Sequence, residues 1–156
     1  MDKQKVLFVC MGNICRSPAA EGVFRKRVDE AGLSDRVEID SAGLESYHIG
    51  ESPDPRMREA AARRGYLLEG RGRQVQPEDF HRFDWILTMD ERNFREMSRL
   101  KPQGSCRARL QRFTEFCMEH AEREVPDPYY GGPEGFEVVL DLLEDGCREL
   151  LERLQS

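Results

Sequence analysis

The sequence predicts an α/β domain, a parallel sheet with helices on both faces. Three observations lead there. Short apolar runs alternate along the chain with longer stretches of helical periodicity. The first run, Val6, Leu7, Phe8 and Val9, is continuously apolar, as a central parallel strand covered on both faces requires. A turn suited to anion binding follows that run directly, and folds of this kind bind ligands at the carboxyl ends of their strands.

In chain order, the first strand covers residues 5–10. Ser17 reads as the N-cap of the next helix, and Pro18 suits its first position, where a missing N–H costs nothing. That helix carries Ala20, Val23, Phe24, Val28 and Ala31 at helical spacing and stops at Gly32. Residues 37–40 read as a second strand, with Ser41, Ala42 and Gly43 as a turn at its end. Residues 44–55 form a loop rich in turn formers that holds Tyr47 and His48. The histidine has no evident partner and reads as structural. A second helix covers 56–65, with Met57, Ala60, Ala61 and Arg64 on alternate faces, before Gly65, Gly70 and Gly72 break the chain. A short helix starts at 77–80. Residues 84–89 are a third buried strand ending at Asp90, a helix follows over 91–100, and 102–105 turn. A fourth strand is expected over 108–113, a helical turn over 114–120 and an exposed loop over 124–133. The final helix, 134–154, carries a stripe of Phe136, Val139, Leu140, Leu143, Cys147, Leu150, Leu151 and Leu154, which reads as core packing.

At 156 residues the chain is the size of a single domain, 1–156, with one core. No apolar run reaches the roughly 18 residues of a membrane span, and the N-terminal residues carry no signal-peptide pattern. The cytoplasm is therefore the expected compartment. Five cysteines, an odd number, make no secreted disulfide framework. Cys117 and His120 have metal-ligand spacing but no second pair beside them, and a helix cysteine is the preferred reading. The net charge of −6 argues against nucleic acid as a partner. The charge is uneven: residues 56–73 hold six arginines against two glutamates, and residues 134–156 hold seven acids against two arginines. The basic stretch either flanks a site for an anionic substrate or is a solvated helix face.

The chemistry gathers in Cys10-Met11-Gly12-Asn13-Ile14-Cys15-Arg16-Ser17. Between a buried strand and a helix start, such a loop aims backbone N–H groups and a positive helix end at one point. Gly12 permits close backbone approach to an anion, and Asn13 tolerates a left-handed conformation. The Gly-Lys-Ser/Thr ending of a Walker loop is absent. Cys10 is placed to be a thiolate near neutral pH, because helix N-termini and arginines lower a cysteine pKa. Arg16 offers a planar fork for two phosphate oxygens. A nucleophilic sulfur facing a phosphate cradle suggests phosphoryl transfer to cysteine. A phenolate leaving group, of conjugate pKa about 10, needs a proton donor, and Asp127 between Pro126 and Pro128 is the candidate. Tyr129 and Tyr130 beside it either line the cleft against an aromatic substrate or lie on the surface.

At these residues the chain resembles the low-molecular-weight protein tyrosine phosphatases. The resemblance runs on through Asp40-Ser41-Ala42-Gly43, Pro53-Asp54-Pro55-Arg56, Met89-Asp90-Glu91 and Asp127-Pro128-Tyr129-Tyr130. It implies a single-domain three-layer sandwich around a four-stranded parallel sheet, with the phosphate loop after the first strand. It implies hydrolysis of phosphotyrosine and small aryl phosphates through a cysteinyl phosphate: Cys10 attacks, Arg16 holds the phosphoryl oxygens, and Asp127 serves as acid and then as base. Met11, Gly12, Asn13, Ile14, Cys15 and Ser17 then bind the phosphate, and Ser17 is also placed to donate to the sulfur. By the same resemblance Ser41 supports the loop through hydrogen bonds. Tyr47, in residues 44–55, forms a cleft wall with Tyr129 and Tyr130, which are phosphorylation targets in the family. Cys15 would form a reversible disulfide with Cys10 that protects the nucleophile from irreversible oxidation. No metal or organic cofactor is required. The implied partners are tyrosine-phosphorylated proteins, with inorganic phosphate as product, no nucleic acid or membrane, and a monomer or weak dimer. One feature departs from the pattern. Many members have a histidine where Gly70 falls, paired with an acid matching Asp90; here Asp90 must be held otherwise, with Arg71 or Arg73 as candidates.

Two rival readings share parts of the motif. An arsenate reductase has this kind of fold and loop but expects a cysteine relay toward the C-terminal part and does not need the Asp-Pro-Tyr-Tyr loop. A phosphate-binding module needs neither a nucleophile nor an acid.

Overall fold

The computed structural model describes residues 3–129 and 131–155. Four strands, β1 (Gln4–Cys10), β2 (Val37–Gly43), β3 (Trp85–Thr88) and β4 (Arg109–Arg112), form one parallel sheet in the order β2-β1-β3-β4. The helices between them are α1 (Arg16–Glu30), α2 (Pro55–Arg63), α3 (Asp79–Arg82) and α4 (Glu91–Leu100). A 3₁₀ turn at Phe113–Phe116 leads to the long α5 (Pro133–Gln155).

β1 is central, and side chains alternate across a strand. Val6, Phe8 and Cys10 face a core shared with α1, α2 and α5, and Leu7 and Val9 face a second core with Phe80, Phe83 and Met97. That two-sided burial is why the strand is apolar at every position from Val6 to Cys10. Phe8 meets Phe24 of α1 and Phe113 edge-on, with ring centroids 5.9 and 6.1 Å apart. Gly146 of α5 makes room for Phe113: a Cβ there would lie 2.3 Å from its Cζ. The register sets Cys10 beside Gly43 and Val9 beside Thr88, so three strands finish at one edge of the sheet.

Several expectations change on folding. Ser41, Ala42 and Gly43 are not a turn but the last residues of β2, paired with β1 through to Cys10. Composition marks them as turn formers; the ladder to a buried neighbour overrides it. Ala31 is the exposed C-cap of α1 rather than part of its apolar face. The loop before α5 is exposed only in part, since Val125 is fully buried. Two arginines of the basic stretch, Arg63 and Arg64, serve packing rather than an anion site. Arg64 pairs with Glu137, Asp141 and Glu144 of α5 at 2.8, 3.0 and 2.9 Å, and Arg63 reaches Glu137 at 3.4 Å. The two charge asymmetries of the sequence therefore answer each other where α2 packs on α5. Cys117 and His120 do not converge on a metal: the thiol donates to the Leu142 carbonyl, and His120 Nδ1 lies 2.7 Å from Asp145 Oδ2. Among the described residues no helix is long and apolar enough to cross a membrane.

Candidate active site

The loop from β1 to α1 is held by its carbonyls. Those of Cys10, Met11 and Ile14 accept from the N–H groups of Leu44, Glu45 and Asp54 at 3.1, 2.8 and 2.8 Å. In a trans peptide the N–H points opposite to the C=O. Tying these carbonyls outward therefore turns the N–H groups of Met11, Gly12 and Cys15 inward. Asn13 takes φ +58°, the left-handed conformation expected of it. Its side chain locks the back of the loop, donating to Ser17 Oγ at 2.8 Å and Ser41 Oγ at 3.0 Å and accepting from the Arg73 N–H at 3.0 Å. Ser41 in turn donates to Glu21 at 2.7 Å. Gly43 leaves no space to spare, since a Cβ there would come within 2.9 Å of the Asn13 nitrogen.

Ser17 is not the N-cap of α1. The helix begins at Arg16, its N-cap is Cys15 without a side-chain bond, and Ser17 lies inside the first turn. Its hydroxyl sits 3.0 Å from Cys10 Sγ. Nearby polar partners brought in by tertiary contact outbid the local cap.

Arg16, 2% exposed, runs under the cleft. Its Nη1 donates to Asp90 at 2.7 Å and to the Val125 carbonyl at 3.0 Å, and its Nη2 lies 3.7 Å from Asp127 Oδ2. Burial works against the guanidinium charge, but the Cys10 sulfur and the Asp90 carboxylate more than offset it. Val125 is a tie point that the sequence did not announce. Its N–H donates to the Met89 carbonyl at 2.7 Å while its own carbonyl accepts from Arg16, so one buried residue ties the Asp127 loop both to the end of β3 and to the phosphate loop. Asp127 itself is half exposed and accepts from the Tyr129 N–H at 3.1 Å.

A cleft of about 340 Å³ joins these groups. Cys10, Arg16 and Asp127 all line it, with Met11, Gly12, Ile14 and Cys15 below and Tyr47 and Tyr129 at the sides. Asn13 and Ser17 stand behind that wall, their side chains engaged as described. Tyr130 lies outside the described residues. His48, read from the sequence as a structural histidine without a partner, lines the cleft too, and its Nδ1 pairs with Glu51 at 2.7 Å; two more cleft residues, Glu45 and Arg92, were not singled out. Nothing in the sequence marked Glu45 and Arg92, because they meet at the cleft only when the segment after β2 and the start of α4 come together.

A family model described as low molecular weight phosphotyrosine protein phosphatase matches residues 5–156. The chain belongs to that family. It is 51% identical over 150 residues to a putative low molecular weight protein-tyrosine-phosphatase of Synechocystis, covering 96% of each. A protein tyrosine phosphatase of Entamoeba histolytica, solved with Hepes in its active site, superposes with a TM-score of 0.94 at 43% identity, over 98% of this chain and 97% of that one. An arginine phosphatase of Drosophila superposes at 0.92 with 31% identity, over 98% and 99%. The family is one of hydrolases that work through a cysteine.

Gly70 takes φ +90°, and neither Arg71 nor Arg73, the expected partners of Asp90, pairs with it. Arg71 donates to the Gly50 carbonyl, and Arg73 pairs with Asp40 and Asp79. Asp90 is held by Arg16 and by its capping box with Asn93 at the start of α4. Cys15, 4% exposed, is a neutral thiol: burial first, then the charges of Asp54 and Cys10, push it far above the ordinary range. Among the described residues no group of three or more metal-ligating side chains gathers.

Proposed function

We propose that this protein hydrolyses phosphotyrosine in tyrosine-phosphorylated proteins, releasing inorganic phosphate, through a cysteinyl phosphate on Cys10. The observation that carries this reading is the meeting of a cysteine, an arginine and an aspartate in one cleft, with Arg16 Nη2 3.7 Å from Asp127. Cys10 Sγ attacks phosphorus in line, opposite the tyrosine oxygen. Arg16 and the inward N–H groups of the loop hold the three equatorial oxygens as charge spreads over them. Protonated Asp127 gives its proton to the departing phenolate and then takes one from the water that attacks the phosphocysteine. Ser17, 3.0 Å from the sulfur, stabilises the thiolate when it leaves. Tyr47 and Tyr129 bracket the substrate ring. When peroxide oxidises Cys10 to a sulfenic acid, the Cys15 thiol of the same loop condenses with it, releasing water, to give a disulfide that external thiol reduces.

The test is rapid-quench mass spectrometry with an aryl phosphate. It should place one phosphoryl group on Cys10 and none on a Cys10→Ser protein. Asp127→Ala should lower kcat by roughly 10²–10⁴, and less for acidic leaving groups. Phosphorylation of another residue, or an equal loss across the leaving-group series, defeats the mechanism. Because one relative is an arginine phosphatase, phosphoarginine and phosphoserine peptides belong in the same assay, and turnover confined to either defeats the substrate assignment.

A further inference from the structure

Among the described residues two arginines line the cleft. Arg16 is spent at its floor. Arg92 stands at the mouth, in the first turn of α4, with its side chain 60% exposed. Its Nε lies 3.3 Å from Glu96 one turn along the helix, and its Nη2 lies 3.7 Å from Glu45 Oε1 across the cleft. The arginines nearby are more firmly engaged: Arg56 grips both oxygens of Asp54, and Arg112 grips both oxygens of Glu91.

Glu45 is anchored on the phosphate loop, since its N–H donates to the Met11 carbonyl at 2.8 Å. At 3.7 Å its contact with Arg92 is too long for a hydrogen bond, and a pair whose guanidinium is largely exposed and whose carboxylate is about one-third exposed is weak. A carboxylate arriving with the substrate therefore displaces Glu45 at little cost and gains charge-assisted bonds from the guanidinium fork.

We infer that Arg92 is a specificity-determining residue that recognises an acidic side chain beside the phosphotyrosine of a peptide, with Glu45 as its intramolecular stand-in. The inference rests on the phosphotyrosine activity proposed above. Arg92 attracts the acidic flank and Glu45 repels it, so the two substitutions move the preference in opposite directions.

The experiment compares kcat/KM for phosphotyrosine peptides that differ only in carrying Asp, Asn or Lys next to the phosphotyrosine. Using ratios within each protein cancels any loss of folded fraction. The wild type should prefer the Asp peptide to the Asn peptide by roughly two- to five-fold, the worth of an exposed charge pair, and chiefly through KM. Arg92→Gln should bring the ratio to about one, Arg92→Lys should keep part of it, and Glu45→Gln should widen it. Added salt should narrow it. Equal values for the three peptides, or an Arg92→Gln ratio like that of the wild type, would overturn the inference while the phosphatase reading stands. Absence of turnover on every phosphotyrosine peptide would overturn that reading and this inference with it.

Discussion

Replacing Asp90 tests how a buried guanidinium is kept in working position. The Arg16 and Asp90 side chains are 3% and 19% exposed, so little water replaces a lost partner. Asp90→Ala removes the 2.7 Å bond to Arg16, its counter-charge, and the acceptor that caps the Asn93 N–H at the start of α4. Loss of a cap costs about 1 kcal/mol, and breaking a buried pair costs about 3–5 kcal/mol. The Val125 carbonyl and Asp127 remain beside Arg16, so the low end applies and the expected total is about 4 kcal/mol. Asp90→Asn keeps an acceptor for Arg16 and for the cap and loses only the charge. It should cost about 1–2 kcal/mol, the difference between charged and neutral hydrogen bonds. The same difference, felt at a guanidinium that must face the phosphoryl oxygens, lowers kcat for an aryl phosphate by roughly 5–30-fold. Asp90→Ala should lower it further. Urea titrations and steady-state kinetics measure both quantities on the same preparations. An Asp90→Ala protein with the wild-type urea midpoint and the wild-type kcat would refute the reasoning, because Val125 and Asp127 would then suffice to hold Arg16.

Gly43→Ala presses a methyl group against the backbone of Gly12 and Asn13, both 2.9 Å away. It should cost about 1–3 kcal/mol and weaken competitive inhibition by inorganic phosphate; unchanged inhibition would show that the loop yields freely. The Asp145 carboxylate of α5 accepts from the N–H groups of Met118, Glu119 and His120 and pairs with the His120 ring. The hydrogen bond to Asp145 raises His120 above its usual value despite the opposing cost of desolvation. Its stabilising contribution is therefore complete below about pH 6.5 and is lost as pH rises through the raised folded-state value. The Tm difference between wild type and His120→Gln should shrink steadily toward alkaline pH, and a constant difference would contradict the assignment. Peroxide should inactivate the wild type in a way that thiol reverses, and inactivate Cys15→Ser in a way that it does not; full recovery of the variant excludes the Cys10–Cys15 disulfide.

How much could be read from the sequence varied by element. The helix expected over 91–100 matches α4 to the residue, because Asp90 is a strong N-cap and the pattern behind it is periodic. The stripe of α5 was equally plain: Phe136, Val139, Leu140, Leu143, Cys147 and Leu150 are all buried. Misreadings fell where local signals met a distant partner. Ser17 has the composition of a cap, but Cys10 and Asn13 engage its hydroxyl. The arginines of residues 63 and 64 have the look of an anion site until α5, some seventy residues on, supplies their carboxylates.

By itself, the order of residues determined the alternation of strands and helices, the loop from Cys10 to Ser17 and the candidate nucleophile, clamp and acid. These depend on near neighbours: backbone preference, apolar period and the chemistry of one side chain. Only the tertiary structure decided what restrains them, with Asp90 and Val125 on Arg16, Arg73 on Asn13, and Glu45 facing Arg92. Those partners are far apart along the chain, and electrostatic and hydrogen-bond energies depend on distance in space, which the parallel register sets by bringing the strand ends to a common edge.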